Sequence, residues 1–412
     1  MIDISTVTDI KNLKYQEAKS LASMRNLIDF WIQGFFYSMV VGAVSILIPL
    51  YAIHIGSNNF ELGLITGSRG MGHFLLVIPV GLLLDRFGIR RVFSLSSFAS
   101  FLVLLIIPTA QRPLPMLMFA CAEGLSCSLR LTSMNARSFK VLPFLNPSQT
   151  GWYKGINSIG TTIAGPVLAT SLSETFGFTA AFLSVAGIVL FANLLELLTG
   201  PRIGLGPAEV QSREKIADAL KGILVMFRNR RVLFASYGES LASAFNSGVR
   251  ILLILLIVDL MQLSSTAISV ITSMIGIAYL AVVFLCGFVT SLWKEFTVYS
   301  LSACLMVVSL GLMALTQNLH LIYAAALLAG AGQGLLSLAT YKTISTVQGD
   351  NGKIAGVITF NTGLAICFSP MIISFIVELL GLRAGFLTLL LPFLLLPVLF
   401  PLRKPPGFPL LK

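Results

Sequence analysis

The chain has 412 residues, 56% of them hydrophobic and only 11% charged, with a mean hydropathy of +0.89. A soluble domain carries about 25% charged residues, so the composition excludes a water-soluble globular protein and points to one embedded in a bilayer. The formal net charge of +11 raises nucleic-acid binding as an alternative, which the placement of the cations then excludes.

A bilayer core about 30 Å thick is crossed by about 20 apolar residues in helical form. The apolar runs, taken in order, predict twelve spans, near residues 27–53, 61–83, 92–110, 114–135, 153–173, 178–199, 232–258, 266–290, 296–316, 320–344, 354–379 and 384–401. Barrel strands would be about ten residues long with alternating polarity. The expected fold class is all-α integral membrane, with twelve transmembrane helices.

Residues 1–26 are polar and mixed in charge, without the apolar core and small-residue cleavage site of a signal peptide, and read as a cytoplasmic tail. Beyond them Lys and Arg fall in alternate segments. Lys11, Lys14, Lys19 and Arg25 precede the first span, Arg86, Arg90 and Arg91 fill the second loop, and Arg137 and Lys140 the fourth. Seven cations from Arg202 to Arg231 occupy the sixth, and Arg403, Lys404 and Lys412 the tail; the intervening loops hold little beyond Arg112 and Arg383. The positive-inside rule then places both termini in the cytoplasm of a cell membrane. The basic charge records topology and not a nucleic-acid partner.

Residues 200–231 form the longest polar interruption and divide the chain into bundles at 27–199 and 232–402, with a tail at 403–412. Ile216, Leu220, Ile223, Leu224 and Phe227 recur at helical spacing with Lys215, Lys221 and Arg228 on other faces, the pattern of a helix on the membrane surface. Two six-helix halves joined by a basic connector match secondary transporters built from parallel repeats.

The loop between the second and third spans reads GLLLDRFGIRR, Gly81 to Arg91. An Asp at a helix end is stabilised by the positive end of another helix, Gly88 permits a tight turn, and the arginines hold the loop in the cytoplasm. Here the chain closely resembles the major facilitator superfamily, whose hallmark in this loop is G-x-x-x-D-R-x-G followed by basic residues. Gly81, Asp85, Arg86, Gly88, Arg90 and Arg91 carry it. The resemblance implies two six-helix bundles that rock in alternating access, and a latch from Asp85 to the start of the eleventh helix, Gly349 to Val357, that stabilises the outward-open state. Gly63 and Gly67 on the second span, and Gly352 and Gly356 at that start, sit four apart, a spacing that lets helix backbones approach.

The fifth span, GINSIGTTIAGPVLAT from Gly155 to Thr170, resembles the Gly-Pro motif of the family's exporters. Gly160, Gly165 and Pro166 fit it with one extra residue of spacing, and Ala169 and Thr170 replace its final glycines. The resemblance implies a kinked, closely packed helix and an export direction. It also implies that helices one, four, seven and ten surround a central cavity.

Charges inside spans are costly and face a cavity or one another. Arg69 and His73 lie one turn apart in the second span. Glu123 and Arg130 lie seven residues apart in the fourth, on one face and about 10 Å apart. In the seventh, Glu239, Ser243, Asn246 and Arg250 form a stripe; Asp29, Gln33 and Tyr37 form another on the first, and Gln333 and Ser337 lie on the tenth. Glu123, and after it Glu239, are the expected proton-coupling carboxyls, because a desolvated carboxyl can hold a proton in one state and release it in the other. Gln33, Tyr37, Arg69, Arg130, Asn246, Arg250 and Gln333 are the expected substrate contacts. A permanent ion pair of Glu123 with Arg69 or Arg130 that only fixes helix packing is the structural alternative.

All five cysteines fall inside spans and none of the three histidines is spaced for zinc, so no metal or cofactor site is expected and an intramembrane enzyme is disfavoured. The expectation is a monomeric secondary transporter that exports a small organic solute in exchange for protons. The alternative is an importer or facilitator of an anionic metabolite, with Arg69, Arg130 and Arg250 as its ligands; a receptor without flux stands further off.

Overall fold

A computed structural model describes residues 24–76, 80, 83–84, 86–141, 147–199, 229–345 and 351–403. The described residues are helical with short connections. In the first half, α1 is Met24–His54, α2 Asn59–Leu75, α3 Ile89–Ile106, α4 Pro113–Val141 and α5 Pro147–Ile159. A π-helical stretch, Gly160–Ala164, leads from α5 into α6, Gly165–Thr199. In the second half α7 is Arg230–Ile254, α8 Thr266–Leu292, α9 Glu295–Leu315, α10 Leu319–Ser345, α11 Asn351–Leu380 and α12 Leu382–Leu399.

Ten of these helices are long and apolar enough to cross a membrane, counted among the described residues. The difference from twelve has two sources. One stretch, Gly155–Leu198, holds both the fifth and sixth predicted spans, and Gly177, with φ 81°, breaks the helix between them. The second predicted span includes residues 77–79, 81 and 82, which lie outside the described residues. Large apolar side chains such as Leu95, Leu198, Leu285 and Leu315 are exposed, a surface suited to lipid and not to water.

Each half packs within itself: α1 on α6, α2 and α3 on α4, and in the second half α8 and α9 on α10, α7 on α11. Across the halves α2 lies along α11, and α8 along α5 and α6. Gly67 and Gly70 make the α2–α11 approach possible, because a Cβ on either would collide with backbone atoms of Cys367. The π-helical stretch before Gly165 and Pro166 agrees with the irregularity that a Pro demands, since the wider register relieves its clash with the preceding turn.

One reading of the loops changes, and others fall outside the described residues. Helix α4 runs to Val141, past the predicted end at 135, so Arg137 is no loop cation: it is 5% exposed and ion-paired with Glu196. Gly81, Asp85 and the connector from residue 200 to 228 lie outside the described residues, as do Gly349 and Asp350 of the expected latch. Of the loop motif, Gly88 has φ 81° and opens α3, Arg90 donates to the Leu197 carbonyl at the end of α6, and Arg86 and Arg91 are exposed.

Candidate functional site

A cavity of about 430 Å³ lies between the halves, walled by α1, α2, α4, α5 and the π-helical stretch on one side and by α7 and α11 on the other. Its wall runs along α4 from Gly124 to Asn135 and along α5 from Tyr153 to Asn157, toward the ends of those helices that carry the basic loops. At the opposite, far end, where α1 stops and α2 starts, the halves touch: Phe60 packs on Phe375 with ring centroids 6.1 Å apart, and Glu174 of α6 binds the start of α8.

Arg69 stands in the cavity wall and its Nε lies 3.2 Å from Glu123 Oε2. Arg130 approaches the other oxygen of Glu123 at 3.3 Å. Glu123 itself is 0% exposed. The two helices meet there because α4 offers a glycine to α2: a Cβ on Gly124 would strike the Arg69 backbone, and Ser128 donates to the Gly72 carbonyl at 2.9 Å. Arg130 in turn lies over the Tyr37 ring, 5.7 Å from its centroid, a cation–π contact that fixes both. Glu123 thus lies between two guanidiniums, one on its own helix and one on α2.

On the opposite wall Arg250 faces the same cavity from α7, with Asn246 and Ser243 one and two turns earlier. It makes no ion pair among the described residues, and the Arg69 and Arg250 charges repel one another across the space. Among the described residues no Asp or Glu lines the cavity. Tyr37, Arg69, Asn246 and Arg250 of the expected contacts are therefore brought together here. Gln333 joins Asn246 in an adjoining space of about 220 Å³, with Tyr279 of α8 and Thr162.

The remaining candidates lie elsewhere. Gln33 is 2% exposed in a buried cluster, where its Nε2 donates to Glu196 Oε2 at 2.6 Å and Arg137 donates to both Gln33 and Glu196. Phe30 covers Arg137 at 5.4 Å and stacks on Tyr153. Glu239 is half-buried on α7 within electrostatic reach of Tyr279 and Tyr341 and is absent from both cavity walls. Gly160 and Gly165 do not meet the cavity; they let α5 and α6 approach α1, where a Cβ would meet the Phe35 and Met39 carbonyls.

Sequence reasoning misses Glu196, an acid within the sixth span whose cost alone calls for a partner. It also misses Asn157 and Thr161, polar at four-residue spacing in the fifth span and both in the cavity wall.

Comparison with known proteins agrees with this architecture. The crystal structure of the nucleoside transporter NupG superposes with a TM-score of 0.73 at 13% identity, covering 92% of this chain and 98% of that one. A bacterial homologue of the human lysosomal transporter Spinster, in an inward-facing and occupied conformation, gives 0.72 at 12% identity, covering 94% and 99%. Among curated sequences, the multidrug resistance protein MdtG of Klebsiella pneumoniae (strain 342) is 23% identical over 189 residues, 44% of this chain and 45% of MdtG. An MFS-type transporter of Methanocaldococcus jannaschii, MJ1560, is 23% identical over 177 residues, 42% and 45%. The chain thus matches less than half the length of these curated relatives. The profile of the Major Facilitator Superfamily matches residues 30–258, more than half of the chain; the chain belongs to that superfamily, a family of secondary transporters and not of enzymes, and is a multi-pass membrane protein.

Proposed function

We propose that the protein carries a small organic solute by alternating access, with proton movement coupled through Glu123. The observation that supports this reading best is the cavity of about 430 Å³ walled by both halves, with a carboxylate one residue behind its surface. Rocking of one half against the other would expose such a space to each side in turn, and solute or proton biases the two states only through differential affinity. With the basic loops in the cytoplasm, the cavity leans toward the cytoplasm and the far end is the outer closure.

Export in exchange for protons is the direction supported by the likeness of the first half to MdtG, named a multidrug resistance protein, and by Gly165 and Pro166 on the fifth span. The test is transport in proteoliposomes against a panel of acids, drugs, sugars and metal chelators, with and without a pH gradient, for the wild type and Glu123→Gln. Loss of gradient-driven transport in the variant is expected; undiminished coupling removes Glu123 from the mechanism.

A second reading, carriage of an anionic metabolite, is favoured by one observation: among the described residues two arginines and no acid face the cavity.

A further inference from the structure

We infer that the cavity binds an anionic group of its solute between Arg69 and Arg250, in competition with Glu123 for Arg69, so that proton and solute bind together. The inference deepens the second reading and rests on it. A carboxylate, sulfonate or phosphate is the chemical class, and both partners travel in one direction.

Charge compensation differs between the two arginines. Arg69 faces the cavity but spends one N–H on Glu123, whereas Arg250 faces it from the other half without an ion pair among the described residues. Two like charges that repel across a low-dielectric space are relieved by an anion between them. Neutral donors and acceptors stand beside them: Asn246 and Ser243 below Arg250, and Asn157 across the wall. Thr66 Oγ1, one turn from Arg69 and also in the wall, has no hydrogen-bond partner among the described residues. The anion would also tie the halves together, since Arg69 belongs to one and Arg250 to the other.

The sign of the coupling follows from the sharing. Arg69 holds Glu123 by its Nε alone and keeps its terminal N–H groups for an anion, but its one positive charge is then divided between two anions. A proton on Glu123 removes the competing charge; an anion on Arg69 sets a second negative charge beside Glu123 and favours the protonated carboxyl. By reciprocity each ligand raises the affinity of the other by the same factor. Exchange of proton for solute would require the opposite sign. The titratable and charged groups around Glu123 are Arg69 and His73 on α2, Arg130 and Cys127 on its own helix, and Tyr37 on α1. Of these, His73 also lines the cavity and would add positive charge at low pH, so the experiment has to separate the two.

The probes are sulfate and ethane-1,2-disulfonate, whose charges do not change across the working pH range, with dimethyl sulfone as the uncharged counterpart. Binding to the purified full chain in detergent is read from the shift in unfolding temperature and from its concentration dependence. The expected result is binding of the anions and not of the sulfone, strengthening as pH falls. Glu123→Gln should bind about tenfold tighter at neutral pH and lose the pH dependence; Arg250→Gln should not respond at any pH. Should Glu123→Gln fail to fold, His73→Gln takes its place: the pH dependence of anion binding should survive that change, and its loss would assign the effect to His73. The inference is overturned by anion binding that weakens or stays constant as pH falls, by a pH dependence that survives Glu123→Gln and so belongs to His73, by an Arg250→Gln response equal to the wild type, or by no anion binding at all. Flux is measured separately. Solutes that cross while the anions neither bind nor compete leave the carrier reading standing and remove this site; anions that bind as described while no solute crosses do the reverse.

Discussion

Glu174, at the far end of the first half, caps the first turn of α8 in the second half: its carboxylate accepts from the Thr266 backbone N–H at 2.8 Å, from the Ser265 hydroxyl at 2.7 Å and from the Thr266 hydroxyl. Ser265, the residue before the helix, makes no side-chain cap of its own, so the cap comes from the other bundle. An N-cap of this kind is worth about 1 kcal/mol, and it exists only while the halves are closed there. Glu174→Ala should therefore shift the balance roughly fivefold toward the state open at the far end. Distances between spin labels on α2 and α11 would show it, and an unchanged distribution would remove Glu174 from the closure.

Arg130 shares Glu123 with Arg69 and is 2% exposed. Arg130→Met leaves Glu123 with one partner and should lower stability by up to about 3 kcal/mol, because an under-compensated buried charge is the costly case. Combined with Glu123→Gln the loss should be smaller than the sum of the two single losses. Thermal unfolding of the four proteins gives the coupling directly, and additive losses would mean that the pair is energetically idle.

The cluster of Gln33, Arg137 and Glu196 joins α1, α4 and α6. Glu196→Leu strands the Arg137 guanidinium between Phe30 and Gln33 and should cost about 3–5 kcal/mol. Adding Arg137→Met should recover most of that loss in the same unfolding assay. A single variant as stable as the wild type would contradict the burial of the pair.

Gly165 and Gly187 both belong to α6 but differ in surroundings. A Cβ at Gly165 would strike the Met39 carbonyl and the Ala43 backbone, whereas at Gly187 nothing lies within 4 Å. Gly165→Val should cost about 1–3 kcal/mol or more by forcing α1 away, and Gly187→Val should change stability by less than about 0.5 kcal/mol. Equal effects in denaturation would refute the close contact.

Helix existence is legible because the bilayer imposes a length of apolar chain that composition reveals directly. The mid-span charges on Arg69, Glu123, Arg130 and Arg250 are legible for the same reason, since each is expensive in hydrocarbon. Arg137 reads as a loop cation because charge statistics mark helix ends and cannot see a helix that continues past its apolar run to meet a buried acid. For Gln33, periodicity gives the face of α1 but not how far along it the cavity reaches.

Composition and charge placement were enough to set the environment, the helical class, the division into two halves and the mid-span charges Arg69, Glu123, Arg130 and Arg250, all of them local consequences of the cost of polar atoms in lipid. Which charge meets which emerges only in the packed chain. Glu123 finds both Arg69 and Arg130 because Gly124 lets two helix backbones touch, and Arg250 is left facing the cavity because no acid among the described residues stands in the wall around it. Pairings of that kind depend on helix rotation and depth, and side-chain packing from several distant segments sets both at once.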